Sequence, residues 1–228
     1  MSAAQTAPER LDENIMAMRA AKEFRDGMIV NLGVGIPTLA SSYVLAGIEV
    51  IFHSENGVLG FGPVIEDSSQ ADINLINASG QPVSRAPGMA FVTHDESFAM
   101  IRGGYIDLTV LGALEVSEQG DLANFQLPGK VIGSFGGGQD LAFCAKRVVA
   151  LMRHNTNDGG PKIRPQVTLP LTAPHAVDRI ITDIAVIDVT PTGLQLVEYA
   201  PGWTLESIQE QTEAKLAPAP GLAEMTLA

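Results

Sequence analysis

Val50-Ile51-Phe52-His53-Ser54-Glu55-Asn56-Gly57-Val58-Leu59-Gly60-Phe61-Gly62-Pro63 is the stretch around which the rest of the chain is organised. The apolar run Val50-Ile51-Phe52 predicts a buried strand, and it delivers Glu55 into a turn built from Asn56, Gly57, Gly60 and Gly62. A carboxylate at the end of a central strand, among glycines that let a ligand approach the backbone, sits where open α/β sheets bind small molecules. The same residues also fit a solvated acid ahead of an Asn-Gly turn, a pair common in turns. From the residues alone both readings stand.

Upstream, Leu11, Ile15, Met18 and Ala21 fall at helical spacing from Glu9, and Phe24 extends the stripe to Gly27, a stop. Met28 to Leu32 reads as a buried strand. Gly33-Val34-Gly35-Ile36-Pro37-Thr38 turns it into a second helix, with Pro37 near the first position, where a missing N–H costs nothing. This order fits a backbone cradle for an anionic or carbonyl group, and equally a tight βα turn. The third glycine and the following acid of a dinucleotide fingerprint are absent.

Downstream, Asp72 to Asn77 predicts a short strand, ended by Ala78-Ser79-Gly80. Ser97 to Arg102 predicts a short helix, preceded by His94-Asp95-Glu96 as a polar knot in a loop. Asp107 to Leu114 carries the strongest strand signal, and a long loop follows through Asp121 to Phe125 and Pro128-Gly129-Lys130. Gly136-Gly137-Gly138 opens another helical segment, and Arg147 to Arg153 reads as a strand. Ile184 to Val189, Pro191-Thr192-Gly193 and Leu194 to Glu198 spell a β-hairpin. Leu205 to Leu216 predicts the last helix. Strand and helix alternate, so the expected fold is an α/β three-layer sandwich, a mostly parallel open sheet with a small antiparallel hairpin. Residues 1–8 read as a loose arm, 9–216 as one domain, and the Ala/Pro-rich 217–228 as a flexible tail.

The totals exclude several classes. A net charge of −12 argues against a nucleic-acid or anionic-membrane surface, either of which needs a basic patch. Cys144 is the only cysteine, so no internal disulfide forms, and it reads as a small buried apolar side chain. No run of about 18 apolar residues or export pattern occurs, and a cytoplasmic location is expected. His53, His94, His154 and His175 do not pair at any metal-ligand spacing, so no metal is expected. No Gly-x-Ser-x-Gly elbow frames Ser54, and no phosphate loop is present. What remains is one carboxylate and the glycine-rich loops. A carboxylate attacks usefully when its target is already activated and the site is dry, and an acyl thioester is such a target.

Ser54 to Pro63 resembles the Ser-Glu-Asn-Gly-x-x-Gly-x-Gly-Pro signature of family I coenzyme A transferases, specifically the B (beta) subunit of the 3-oxoacid type. Asn31-Leu32-Gly33-Val34-Gly35-Ile36-Pro37, Asn77-Ala78-Ser79-Gly80, Ile101-Arg102-Gly103-Gly104, Leu122-Ala123-Asn124, Pro128-Gly129-Lys130 and Leu169 to His175 follow in the family's order. The likeness covers roughly residues 10 to 214.

The resemblance implies a ping-pong transfer with Glu55 as nucleophile. A mixed anhydride forms first and then a glutamyl-CoA thioester, from which a second acid leaves as its CoA ester. It implies that Gly33, Gly35, Asn56, Gly57, Asn77, Gly136, Gly137 and Gly138 bind substrate or coenzyme A, or hold an oxyanion. Coenzyme A would be a substrate and transient covalent adduct, with no resident cofactor. An A (alpha) subunit would complete an α2β2 heterotetramer. Two stretches depart from the family pattern: Gln139 replaces an apolar residue, and Val92-Thr93-His94-Asp95-Glu96 differs throughout. A CoA-ester hydrolase or ring-opening enzyme on the same scaffold is the alternative, and a non-catalytic ligand sensor ranks behind both.

Overall fold

The computed structural model describes residues 8–65, 67–129 and 136–226. In chain order the elements are α1 (Glu13–Ala21), β1 (Ile29–Leu32), α2 (Ile36–Leu39), β2 (Ile51–Ser54), β3 (Val58–Leu59), β4 (Ala90–Phe91), α3 (His94–Arg102), β5 (Leu108–Leu111), β6 (Glu115–Ser117) and β7 (Leu122–Ala123). There follow α4 (Gly138–Cys144), β8 (Val148–Leu151), β9 (Ile163–Arg164), β10 (Arg179–Ile181), β11 (Ala185–Thr190), β12 (Gly193–Tyr199), α5 (Leu205–Glu210) and β13 (Leu216–Glu224).

Ten strands form one sheet in the order β13-β12-β11-β10-β8-β5-β1-β2-β3-β4. The stretch from β2 to β10 is parallel throughout. Its inner strands β5 and β8 are buried at every residue, as strands covered on both faces must be. The chain leaves β1 in one direction through α2 to β2, then returns past β1 through α3 to β5. Right-handed crossovers in opposite directions place α2 and α3 on opposite faces, which gives the three layers. The reversal leaves a crevice at the C-terminal ends of β1 and β5, where Gly33 and Gly112 lie.

The expected hairpin is present as β11 and β12, antiparallel from Thr190 and Gly193 to Ala185 and Tyr199. A second antiparallel extension, β3 and β4, prolongs β2. A separate sheet, β7-β6-β9, takes part of what reads as a long loop around Asp121 to Phe125. Lys130 of that stretch falls outside the described residues.

Several elements differ from expectation. The first helix starts at Asp12, whose side chain accepts from Ile15 N, and it ends at Ala21. Tighter i→i−3 turns then carry Phe24 into the core, so its apolar spacing persists without the helix. Asp72 to Asn77 is not a strand, because Asp72 accepts from Asn74 N and folds the segment into a turn. Only the isolated bridges Val64–Val83 and Ile76–Pro82 remain there.

His94-Asp95-Glu96 is not a loop but the first turn of α3, with Thr93 and Glu96 forming a capping box. The last helix stops at Glu210. Thr212 turns its hydroxyl back to Ile208 O, and the next amides bond Ile163 O in β9. Residues 217–224 are not a loose tail but most of β13, parallel to β12. Pro218 and Pro220 are tolerated there because an outermost strand leaves half its backbone groups unpaired. Leu216 and Met225 anchor its ends in the core. Of the expected arm only Pro8 is described, and it packs against Gly202. No helix among the described residues is long and apolar enough to cross a membrane.

Candidate active site

Glu55 follows directly on β2. The turn closes through Gly57 N donating to Ser54 O at 2.9 Å. Two side chains sew it to the loop beyond: Asn56 Nδ2 donates to Ile76 O at 2.8 Å, and Ser54 Oγ accepts from Ala78 N at 2.7 Å. Gly57 has φ of 107°, and a methyl group there would lie 2.2 Å from Val92 O. No other residue fits that approach of β3 to the chain leading into α3.

The Glu55 side chain is half-buried. Its Oε2 accepts from Asn31 Nδ2 at 3.3 Å. Asn31 and His53 are register partners on β1 and β2, and the Asn31 amide also lies 3.1 Å from His53 Nδ1. An amide nitrogen only donates, so Nδ1 is the acceptor and the ring proton sits on Nε2. From there it is donated to Ser97 Oγ at 2.9 Å. Burial lowers the His53 pKa, while Glu55, with the Ser97 contact, pulls the other way. The ring is therefore neutral, and the row Ser97–His53–Asn31 ends on the carboxylate.

Gly33, Gly112, Asn124 and Gly136 to Gly138 join Glu55 around a cavity of about 390 Å³. Gly137 fits against the carboxylate: a methyl group there would be 3.4 Å from both Glu55 Cγ and Phe98 Cζ. His94 stacks on Phe98 with ring centroids 4.6 Å apart, so the divergent start of α3 backs this wall. A larger apolar groove of about 1100 Å³, lined by Phe52, Leu59, Phe61 and Tyr105, does not include Glu55. Size alone would select the wrong place, because the nucleophile is not there.

The structure brings Glu55, Gly33, Gly136, Gly137 and Gly138 together. Gly33 N donates to Val110 O and its carbonyl accepts from Thr38 Oγ1, so that turn is internally fastened. Gly35 caps α2 with φ of 91° and lies outside the cavity lining. Asn56, Gly57 and Asn77 build the scaffold. Asn77 Oδ1 accepts from Ser79 N and Gln81 N, and its amide nitrogen donates to Gln81 Oε1. Sequence reasoning gave no role to Asn31, Gly112 or Asn124. Asn31 and Asn124 lie within motifs that carry the resemblance, and a polar side chain inside an otherwise apolar strand was the available signal for Asn31.

The chain matches the coenzyme A transferase family model over residues 14–211. It is 46% identical over 202 residues to the B chain of a probable succinyl-CoA:3-ketoacid coenzyme A transferase of Bacillus subtilis, covering 89% of this chain and 93% of that one. It is 49% identical over 209 residues to the human mitochondrial succinyl-CoA:3-ketoacid coenzyme A transferase 2, covering 91% of this chain and 40% of that protein. Among solved structures, the acyl-CoA transferase apoenzyme of Escherichia coli O157:H7 superposes with a TM-score of 0.75 at 24% identity, covering 97% of this chain and 44% of that one. That likeness concerns the fold alone.

Proposed function

The chain belongs to the coenzyme A transferase family, and we propose that Glu55 is the nucleophile through which it moves coenzyme A between two carboxylic acids. The observation that carries this reading is the setting of Glu55. It is a half-buried carboxylate at the end of a parallel strand, held by Asn31 and pressed against Gly137 in a glycine-walled cavity. The relatives' names support succinyl-CoA as donor and a 3-oxoacid as acceptor.

A Glu55 oxygen attacks the thioester carbonyl carbon, forming a C–O bond as the carbonyl electron pair moves onto oxygen. Collapse breaks the C–S bond and releases the thiolate, leaving a mixed anhydride. The thiolate then attacks the Glu55 carbonyl and the first acid leaves as its carboxylate. The second acid runs the two steps in reverse. Each intermediate is an activated acyl group, so the thioester energy is retained, and the steps need no metal. Water would drain that energy by hydrolysis, which is why a small, partly closed cavity suits the chemistry.

The same reading assigns an A-type partner chain in an α2β2 assembly, supported by the bacterial relative's being named as one of two kinds of chain, and a cytoplasmic location. The test is to incubate the assembled enzyme with succinyl-CoA, reduce with borohydride, and map the peptides by mass spectrometry. Residue 55 should be recovered as the alcohol. An active enzyme whose Glu55 peptide stays unmodified would overturn the reading.

A further inference from the structure

Resting on Glu55 as nucleophile, we propose that the Asn124 carboxamide donates to the substrate thioester carbonyl oxygen and stabilises the negative charge that forms there. Asn124 follows β7, in the small sheet, and lines the same cavity as Glu55 from the other side of the Gly136 to Gly138 turn. Its Oδ1 accepts from Thr172 Oγ1 at 2.8 Å, and the same hydroxyl oxygen accepts from Asn124 N at 3.1 Å. Thr172 is only 2% exposed, so this pair of bonds is fixed.

The arrangement sets the amide orientation. The hydroxyl has one proton, and Oδ1 is where it goes. Nδ2 then faces the glycine turn: a methyl group on Gly138 would be 3.6 Å from it. No described residue accepts either Nδ2 hydrogen. Two amide hydrogens are thus presented, pre-oriented, to the cavity that holds the nucleophile. When the C–O bond forms, the thioester oxygen gains charge, and a donor fixed in advance needs no reorganisation at that moment.

Gln139 explains how the parts are kept in step. Its Nε2 donates to Thr172 O at 3.0 Å, tying the first turn of α4 to the loop that holds Asn124. The residue that departs from the family pattern thereby acts as a positioning residue, through Thr172.

The test uses the assembled two-chain enzyme with succinyl-CoA, following formation of the Glu55 thioester in a single turnover. Asn124→Ala should slow that step by roughly 10²- to 10³-fold, the range seen when one such donor is removed. Its KM for succinyl-CoA should stay near that of the unmodified enzyme. Thr172→Val should slow the step in the same direction, and Thr172→Ser should restore it. A rate for Asn124→Ala within a few-fold of the unmodified enzyme overturns the proposal, as does a loss confined to KM. If Asn124→Ala does not fold, the Thr172 pair decides: equal rates for Val and Ser overturn it. Glu55→Gln run alongside separates the two readings. Turnover by that variant defeats the nucleophile itself, whereas a dead Glu55→Gln beside a fast Asn124→Ala defeats only the Asn124 donor.

Discussion

The Glu55 carboxylate and the Asn31 carboxamide meet at 3.3 Å across two neighbouring parallel strands. The same amide nitrogen faces His53 Nδ1 and His53 O, three acceptors in all for two hydrogens. Its own Oδ1 has no partner, and neither does Thr109 Oγ1 one strand away in register. Asn31 is therefore committed as a donor toward the reactive side.

Asn31→Asp keeps the shape, removes the donors and sets a second carboxylate beside Glu55. Two carboxylates that close share a proton, so the apparent pKa of the pair rises. Activity of the variant should be depressed at neutral pH and climb as pH rises through that raised value. Rates measured from pH 5 to 9 check this. A profile superimposable on that of the unmodified enzyme would show that Asn31 does not control the ionisation of Glu55.

Gly57 and Gly35 both have positive φ, but only one is crowded. A methyl group at Gly57 meets Val92 O at 2.2 Å, whereas Gly35 has nothing within 4 Å. Gly35→Ala should cost only the backbone strain, about 1–2 kcal/mol. Gly57→Ala must also push β3 away from the segment before α3 and should cost clearly more. Thermal unfolding of the two variants tests the ranking, and equal losses would contradict the crowding at Gly57.

Glu23 is 3% exposed and receives Arg19 at 2.8 Å, Arg147 at 2.8 Å and Arg179 at 2.7 Å. Arg19 and Arg179 pair onward to Glu198 and Asp188, which joins α1 to the hairpin sheet edge. Burial raises the Glu23 pKa, and the bond from Arg19 together with Arg179 more than offsets it, so the group stays charged. Glu23→Gln leaves these guanidiniums short of a counter-charge. A loss of about 3–5 kcal/mol is expected, the usual cost of breaking a buried pair on one side. Chemical denaturation measures it, and a loss under about 1 kcal/mol would mean the cluster relaxes into solvent.

The parts of the fold written in local pattern were legible. Ile51 to Ser54, Met28 to Leu32 and the Pro191-Thr192-Gly193 hairpin depend on apolar runs and turn residues, which act within a few positions. Thr93 and Glu96 also carried a capping signal three residues apart, which was there to be read and places His94 inside α3. What was not legible depends on distant partners. Residues 217–224 look like a tail until β12 offers them an edge, and Thr212 ends α5 because His154 and Ile163 compete for the chain. The same holds at the site. Glu55 stands out in a motif, but Asn124 acquires its orientation only from Thr172, far along the sequence.

His154 supplies the last prediction. It is fully buried, with Nδ1 at 3.0 Å from Thr182 Oγ1 and Nε2 at 2.8 Å from Thr212 Oγ1. Burial lowers its pKa to about 3, against the pull of Asp183. The folded state thus binds its proton less readily than the unfolded chain, whose histidine titrates near 6.5. Its contribution is fully present above about pH 6.5 and is lost as pH falls from there toward 3. The slope is at most about 1.4 kcal/mol per pH unit. His53, lowered in the same direction, adds to it. Urea midpoints between pH 7.5 and 5 should fall for the unmodified protein and fall less steeply for His154→Gln, which starts from a lower stability because the two threonine hydroxyls lose their shared partner. Equal slopes in the two proteins would mean that the ring is already reachable by protons in the folded state, and the buried, neutral assignment would have to be given up.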